Sequence, residues 1–452
     1  MNLAGLNVLV VGAGKSGRAA SRFLVSKGAR VTLTDAKSAD AFEGIQEDAP
    51  DVELALGAYP QVEPGRWALV VISPGVPGTI EPATAARTAG IPVIGELELA
   101  WRFCRAPVVA ITGTNGKTTT TALVGEIFRH AGKNTLIAGN IGVPFISEVE
   151  RYGPEDVIVL EVSSFQLETA PTFRPRVAAI LNITPDHIDR HGSLEAYVDA
   201  KAAIFKNQAS NDLTVLNYDD PITAALAPRC PGRVIFFSRR HRLEQGIFVQ
   251  DGQIMAAGSQ GTCSVCPAGN LRIPGYHNLE NALAATAAAW VMGVRPKIIG
   301  EALTEFRGVP HRLEEVGIIE GVRYINDSKG TNPDASIKAL EAFREPIVLI
   351  AGGRNKGNSF KEFAARFPGR VRALVVLGES AEEIAQDARE QGLEKILRAT
   401  DLKDAVRLAH DNAEPGDVVL LSPACASWDM FRDYEERGDL FREIVKRMAA
   451  EG

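Results

Sequence analysis

Two five-residue apolar runs, each opening into a glycine loop and then a helical pattern, constrain this chain more than any other feature. Asn7–Val11 (NVLVV) leads into Gly12-Ala13-Gly14-Lys15-Ser16-Gly17, after which Ala19, Ala20, Phe23 and Leu24 recur at helical spacing. Val108–Thr112 (VVAIT) leads into Gly113-Thr114-Asn115-Gly116-Lys117, followed by a helical pattern over 118–130. An apolar run without polar alternation belongs in a strand buried on both faces, and parallel strands need a crossover, usually a helix, to join them. Both loops therefore predict parallel α/β sheets, with the glycines at the carboxyl ends of strands.

The rest of the chain repeats this logic. Runs at 30–34, ending at Asp35, and 68–72, ending in Ser73-Pro74-Gly75, complete a first βαβ region that closes near Gly95. Runs at 157–161 and 177–182 continue the second region. A short β-like stretch over 234–255 carries Gly246, Gly252 and Gly258 as turn marks, and an alanine-rich helix follows over 277–292. After Phe306-Arg307-Gly308-Val309-Pro310, runs at 347–351, 373–377 and 418–422 alternate with helical patterns. The 452 residues leave room for about three ordinary domains. The expected fold is α/β in three consecutive domains: Rossmann-like over 1–95, a P-loop-type central ATPase with a parallel sheet over 96–308, and Rossmann-like over 309–452.

Composition narrows the function classes. Forty-nine basic against fifty-six acidic residues leave a charge of −7, which argues against a broad nucleic-acid surface but permits small anion pockets. No apolar run approaches the roughly 18 residues of a membrane span. The N-terminal stretch shows no basic leader or cleavage pattern, and five cysteines give no disulfide framework. A cytoplasmic monomer acting on small molecules is expected.

The first loop fits the dinucleotide fingerprint Gly-x-Gly-x-x-Gly, with Asp35 placed as a ribose-binding acid would be. The pattern selects for a diphosphate at a helix N-terminus. NAD, another diphosphate, or a close helix–strand packing turn all remain open. The second loop carries the parts of a triphosphate site: a backbone anion nest, Lys117 for β- and γ-phosphates and Thr118 for Mg²⁺. It is not a strict Walker A motif, which would need glycine where Ile111 stands. Glu161 ends a strand and His187 follows another, so both could serve a phosphate-bound cation. Each also has a plain reading, as a surface glutamate and a loop histidine. Cys263-x-x-Cys266 lacks further ligands and reads as a loop feature, and Cys425 reads as packing.

Seven motifs then occur in order: TGTNGKTT at 112–119, EVSSFQLE at 161–168, NITPDHIDRHGS at 182–193, YHNLENALAA at 276–285, HRLE at 311–314, NDSKGTNPDA at 326–335 and LSPACASWDMF at 421–431. Together they resemble the Mur ligase family over residues 7–440. The N-terminal GAGKSG, SSFQLE and SPACASWDMF together resemble the branch that adds D-glutamate to UDP-N-acetylmuramoyl-L-alanine, consuming ATP, in peptidoglycan precursor synthesis. The resemblance turns the first loop into a UDP-diphosphate cradle, shared among Gly14, Ser16, Lys37, Gly75, Asn140, Ser163 and Gln166. It implies ATP contacts from Gly113, Thr114, Asn115, Gly116, Lys117, Thr118, Thr119, Asn278, Asn281, Arg312 and Asp327. The ATP would then touch two domains, with the C-terminal one closing on it.

The same resemblance implies two Mg²⁺ ions on Thr118, Glu161, His187 and Lys201, the last as a carbamate formed with CO₂. It assigns Lys117, Glu161, His187 and Lys201 to catalysis, and Lys329, Thr331, Lys356, Ser427 and Tyr434 to the D-glutamate carboxylates. Departures are local. Ala36-Lys37 stands where the family often has Thr-Arg, and Tyr434 where some members carry phenylalanine. No DNPR motif occurs, which sets the chain apart from the diaminopimelate-adding branch. Another Mur-type or folylpolyglutamate-synthase-like ligase is the nearest alternative. An NAD-dependent oxidoreductase would explain only residues 7–35, and a non-catalytic nucleotide scaffold leaves the metal-ligand set without a purpose.

Overall fold

The computed structural model describes all residues except Glu43, Ala49, Lys356 and Gly452, and gives the backbone alone for Glu47, Asp48, Asp189 and Glu451. The chain forms two compact units. The first comprises residues 1–270 and 280–304, the second 271–279 and 305–452.

The first unit holds two sheets. β1 (Asn7–Val11), β2 (Arg30–Asp35), β3 (Glu53–Leu56), β4 (Leu69–Ile72) and β5 (Val93–Gly95) form a parallel sheet in the order β3-β2-β1-β4-β5. β1 is central because its side chains from Val8 to Val11 are buried, as a strand covered on both faces requires. The strand order reverses beside β1, so a crevice opens at the carboxyl ends of β1 and β4, where such sheets bind ligands.

The second sheet has nine strands: β6 (Val108–Thr112), β7 (Thr135–Gly139), β8 (Val157–Glu161), β9 (Val177–Ile180), β10 (Leu213–Asn217), β11 (Arg233–Ser238), β12 (Gly246–Gln250), β13 (Gln253–Gly258) and β14 (Gly261–Pro267). Their order is β14-β13-β12-β11-β10-β9-β6-β8-β7, parallel from β7 to β12 and antiparallel at the β12–β13–β14 end. β6 is buried throughout and flanked by β8 and β9, which brings the carboxyl ends of all three together. The expected loop at Cys263-x-x-Cys266 is instead part of the edge strand β14. There Cys263 is exposed and Cys266 buried, with a bulge in the β13–β14 pairing between them.

The second unit carries β15 (Glu314–Ile319), β16 (Val322–Asn326), β17 (Ile347–Gly352), β18 (Val371–Leu377), β19 (Ile396–Arg398) and β20 (Val418–Leu421) in the order β15-β16-β20-β17-β18-β19. All neighbours are parallel except the β15–β16 hairpin. The alanine-rich helix runs over Tyr276–Val291, one residue earlier at each end than its periodicity predicts. Among the described residues no helix is long and apolar enough to cross a membrane.

Candidate active site

The first glycine loop uses its glycines differently. A Cβ on Gly17 would strike the carbonyl oxygen of Gly12, so Gly17 lets the helix Lys15–Ser26 pack onto the loop. A Cβ on Gly14 would meet nothing within 4 Å. Gly14 is therefore not required by the protein's own packing, and its bare backbone faces open space. Asp35 lines the cleft over this loop and also braces the loop itself. Its oxygens accept from Ala13 N (2.9 Å) and Lys37 N (3.0 Å), which ties the loop to the end of β2.

A cleft of about 530 Å³ opens over this loop, lined by Gly14, Ser16, Lys37 and Gly75 together with Asn140 and Gln166. Six of the seven residues expected to cradle the diphosphate substrate therefore share one cavity, although Gly14 and Gln166 are far apart in sequence. Ser163 does not line it. Its hydroxyl caps the short helix Ser164–Leu167 by accepting from Gln166 N, and its own N–H donates to Gln166 Oε1 at 2.9 Å. We expect Gly14→Leu to fold with only the small loss of stability of a poorer N-cap, about 1 kcal/mol or less, and to raise KM for a diphosphate-bearing substrate about tenfold or more. Steady-state kinetics and a melting curve on the variant check this.

The second loop is clamped from the end of β9. Asn182 accepts from Thr114 N through its carbonyl and from Asn115 N through its side chain, both at 2.9 Å, and its amide donates to Asn115 O at 3.1 Å. Gly116 takes φ +85°, and a Cβ there would strike Asn281 Oδ1, which accepts from Thr120. Lys117 Nζ folds back to donate to the carbonyls of Gly113 and Thr114, both at 2.9 Å. Lys201 Nζ, on the helix Leu194–Ala202, reaches the same Gly113 carbonyl at 2.9 Å and lies over the Tyr197 ring. Lys201 is 2% exposed. Burial, followed by the neighbouring Lys117 charge, pushes its pKa down to about 6, so above that pH it is a free amine.

Glu161 ends β8 opposite Ile111, two residues before the loop begins. Its Oε1 accepts from Asn140 Nδ2 at 2.8 Å, while Oε2 is buried with no partner. An unsatisfied buried carboxylate oxygen costs on the order of 1–3 kcal/mol, more when charged. That position suits a hard cation with oxygen ligands. Thr118, in the first turn of the helix Lys117–His130, is buried as well. His187 has left-handed backbone (φ 52°), is exposed, and packs its ring edge-on against Phe165. Among the described residues no three His, Cys, Asp or Glu side chains form a ready metal cage. Mg²⁺ commonly takes only one or two carboxylates, with waters and substrate phosphates filling the rest.

In the second unit, Arg312 has a buried Nε without a partner. Asp327 is fully buried and its pKa is pushed up to about 6 by desolvation, opposed first by Arg312. Its oxygens accept from Ser422 Oγ (2.7 Å) and Leu313 N (3.3 Å). Asn278 donates to Pro274 O within this unit. The Lys329 ammonium lies 5.2 Å from the Tyr434 ring centroid. Thr331 N donates to Lys329 O, and Ser427 is buried in the loop after β20. Lys356 lies outside the described residues.

Two residues of this site escape a reading of the motifs. Asn182 clamps the phosphate loop, and Tyr197 places its hydroxyl 3.3 Å from Thr114 Oγ1. The available signal for Tyr197 is its spacing of four from Lys201, which puts both on one helix face.

Three family models match the chain in sequence order. They are the Mur ligase MurD-like N-terminal domain over residues 6–95, the Mur ligase middle domain over 111–289, and the Mur ligase glutamate ligase domain over 311–425. The UDP-N-acetylmuramoylalanine–D-glutamate ligase of Pelotomaculum thermopropionicum is 60% identical, with 97% of each chain covered. That of Desulfitobacterium hafniense (strain DSM 10664 / DCB-2) is 49% identical, with 99% of each covered. Among solved structures, UDP-N-acetylmuramate-alanine ligase from Thermotoga maritima aligns with a TM-score of 0.62 at 22% identity, covering 99% of this chain and 100% of that one. The MurF ligase of Thermotoga maritima in complex with ADP aligns with a TM-score of 0.60 at 19% identity, covering 99% and 96%. These two structural likenesses speak for the three-domain fold.

Proposed function

The chain belongs to the Mur ligase family, and from that premise we propose that it joins D-glutamate to UDP-N-acetylmuramoyl-L-alanine at the expense of ATP. The observation that carries the reading is Asn140, which lines the UDP-side cleft while its amide donates to Glu161 beside the phosphate loop. One side chain thus couples the sugar-nucleotide cleft to the group best suited to a phosphate-bound cation.

A carboxylate is a poor acyl donor, because direct attack would have to expel oxide. Transfer of the γ-phosphoryl group of ATP to the L-alanine carboxylate gives an acyl phosphate and releases ADP. The D-glutamate amine attacks its carbonyl carbon, and the tetrahedral adduct loses the amine's proton and expels phosphate to leave the amide. The protein's work is positioning and charge stabilisation. The backbone of 113–116 cradles phosphates, and Lys117 swings from the Gly113 and Thr114 carbonyls to the γ-phosphate. Thr118 and Glu161 would hold one Mg²⁺, and Glu161, His187 and a Lys201 carbamate a second. Bound there, the ions would neutralise charge on the transferring phosphoryl group and the carboxylate.

The carbamate has a physical basis in the Lys201 amine. Free above about pH 6, it can attack CO₂ through its lone pair and release one proton, leaving an anion where an ammonium would repel metal. In the second unit, Arg312 supplies an anion contact and Asp327 a ribose contact. Lys329, Thr331, Lys356, Ser427 and Tyr434 supply the cationic and hydroxyl chemistry a dicarboxylate needs. The reading places the enzyme in the cytoplasm, working as a monomer on small molecules.

The test is phosphate release with ATP, Mg²⁺ and UDP-N-acetylmuramoyl-L-alanine while the amino acid is varied. D-Glutamate is expected to raise the rate at least about tenfold over L-glutamate, D-alanine or diaminopimelate. Release indifferent to D-glutamate would remove the reading.

A further inference from the structure

His191 belongs to no ligand set above, yet its surroundings are specific. Its side chain is 2% exposed. One ring nitrogen, Nε2, meets Ser164 Oγ at 3.0 Å, and the other, Nδ1, meets Glu168 Oε1 at 3.1 Å. Burial lowers its pKa, so the neutral ring has one donor and one acceptor. The arrangement satisfying all three groups has Ser164 donating to Nε2 and Nδ1–H donating to Glu168.

A serine, a histidine and a carboxylate in line resemble a hydrolytic triad. Ser164 is only 3% exposed, however, and lies in the first turn of the capped helix Ser164–Leu167. Substrate cannot reach it, so the array is a tie between segments. Ser164 and Glu168 belong to the segment that begins at Glu161. His191 ends the short helix Ile188–His191, which begins beside His187. The imidazole also stacks on Phe165 (5.2 Å, 10° between planes) and contacts Tyr197 (5.1 Å). Phe165 in turn meets the His187 ring, and Tyr197 meets Thr114 of the phosphate loop.

The geometry points to His191 as a positioning residue of the ligase reaction. By bridging Ser164 and Glu168 it fixes the segment bearing Glu161 against the segment bearing His187, and so sets how those two groups meet a shared cation. This rests on the metal-site reading above. Loss of the two bonds, with the ring contacts kept, should therefore act on Mg²⁺ usage rather than on amino-acid binding.

The experiment compares wild type with His191→Phe, which keeps an aromatic ring without either bond, and His191→Gln, whose amide can accept from Ser164 and donate to Glu168. Two readouts are taken: the Mg²⁺ dependence of D-glutamate-dependent phosphate release, and the Tm increase that Mg²⁺ plus ADP gives without turnover. His191→Phe is expected to raise the Mg²⁺ requirement and lower kcat, each about tenfold, and to shrink the Tm increase, while KM for D-glutamate stays within about twofold. His191→Gln should recover most of both. An unchanged Mg²⁺ requirement and Tm increase in His191→Phe overturn the inference, as does a Gln variant no better than Phe. Should His191→Phe not fold, Ser164→Ala and Glu168→Ala each remove one bond and are expected to shift both readouts the same way; no shift in either overturns the tie. Wild type lacking D-glutamate-dependent release would instead sink the ligase reading, and the Tm readout would still judge His191.

Discussion

Lys201→Ala is expected to lower kcat by about a hundredfold or more, and millimolar acetate or formate to restore part of the loss. The side chain is buried, its Nζ bonded to the Gly113 carbonyl and set over the Tyr197 ring. Removing it leaves a small cavity beside the phosphate loop, with a polar wall and room for a short carboxylate. If the working form of Lys201 is a carbamate, such an anion replaces the lost charge in the same place. Lys201→Arg should not be rescued, because its cation fills the space and keeps the wrong sign.

The pH dependence separates this account from a plain structural role. Lysine has its pKa lowered here to about 6, so the group is a charged ammonium below that value and a free amine above it. Only the amine adds to CO₂. Wild-type activity should fall as pH drops through about 6, and should fall at any pH when CO₂ and bicarbonate are removed. The rescued alanine variant should ignore CO₂ at every pH, because its anion is supplied and not formed from the lysine. A Lys201→Ala enzyme within about threefold of wild type without any additive would end the carbamate proposal.

Much of this fold is legible in the sequence, for local reasons. NVLVV, VVAIT, VIVLE and IVLIAG are apolar without alternation, and each becomes a parallel strand with its side chains mostly or wholly buried. Glycines directly after NVLVV, VVAIT and IVLIAG mark the turns at their carboxyl ends. β14 is not legible, because Thr262, Cys263 and Ser264 are exposed on an edge strand and look like a loop. Edge strands pair on one side and need little apolar content.

The candidate site divides the same way. Lys117 and Thr118 follow from the loop itself, whereas Asn140 and Gln166 join the N-terminal cleft only through tertiary folding. Lys201 reads as an ordinary helix lysine until its burial is known. His191 ends a four-residue helix, and nothing in its spacing announces its partners, whereas Tyr197 offers only its spacing of four from Lys201. Asp35 does two things at once: its oxygens hold the loop's own backbone, and it lines the cleft where the motif places a ligand-binding acid.

Glu161→Gln carries the second large expected effect, a loss of about a thousandfold in kcat with little change in the stability of the ligand-free protein. The substitution keeps shape. Gln Oε1 can still accept from Asn140 Nδ2, a bond of 2.8 Å in the native chain. What changes is the second position, where a buried carboxylate oxygen without a partner becomes an NH₂ group. In the ligand-free protein this exchanges one unsatisfied buried group for another and removes a buried charge, so the apo Tm should hold or rise slightly.

With ligand the two proteins diverge. An amide NH₂ cannot accept from a metal-bound water or ligate a cation. Mg²⁺ plus ADP should therefore raise the Tm of wild type and leave that of Glu161→Gln nearly unmoved, since stabilisation follows the ratio of free ligand to Kd. A lost rate with an intact Mg²⁺-dependent Tm increase would assign Glu161 to the reaction but not to the cation. A Glu161→Gln enzyme whose rate still rises with Mg²⁺ to within about threefold of wild type would remove the cation site altogether. The unpaired oxygen would then need another occupant, and Asn140, which holds the opposite oxygen while lining the cleft, would lose its place as the link between the two substrates.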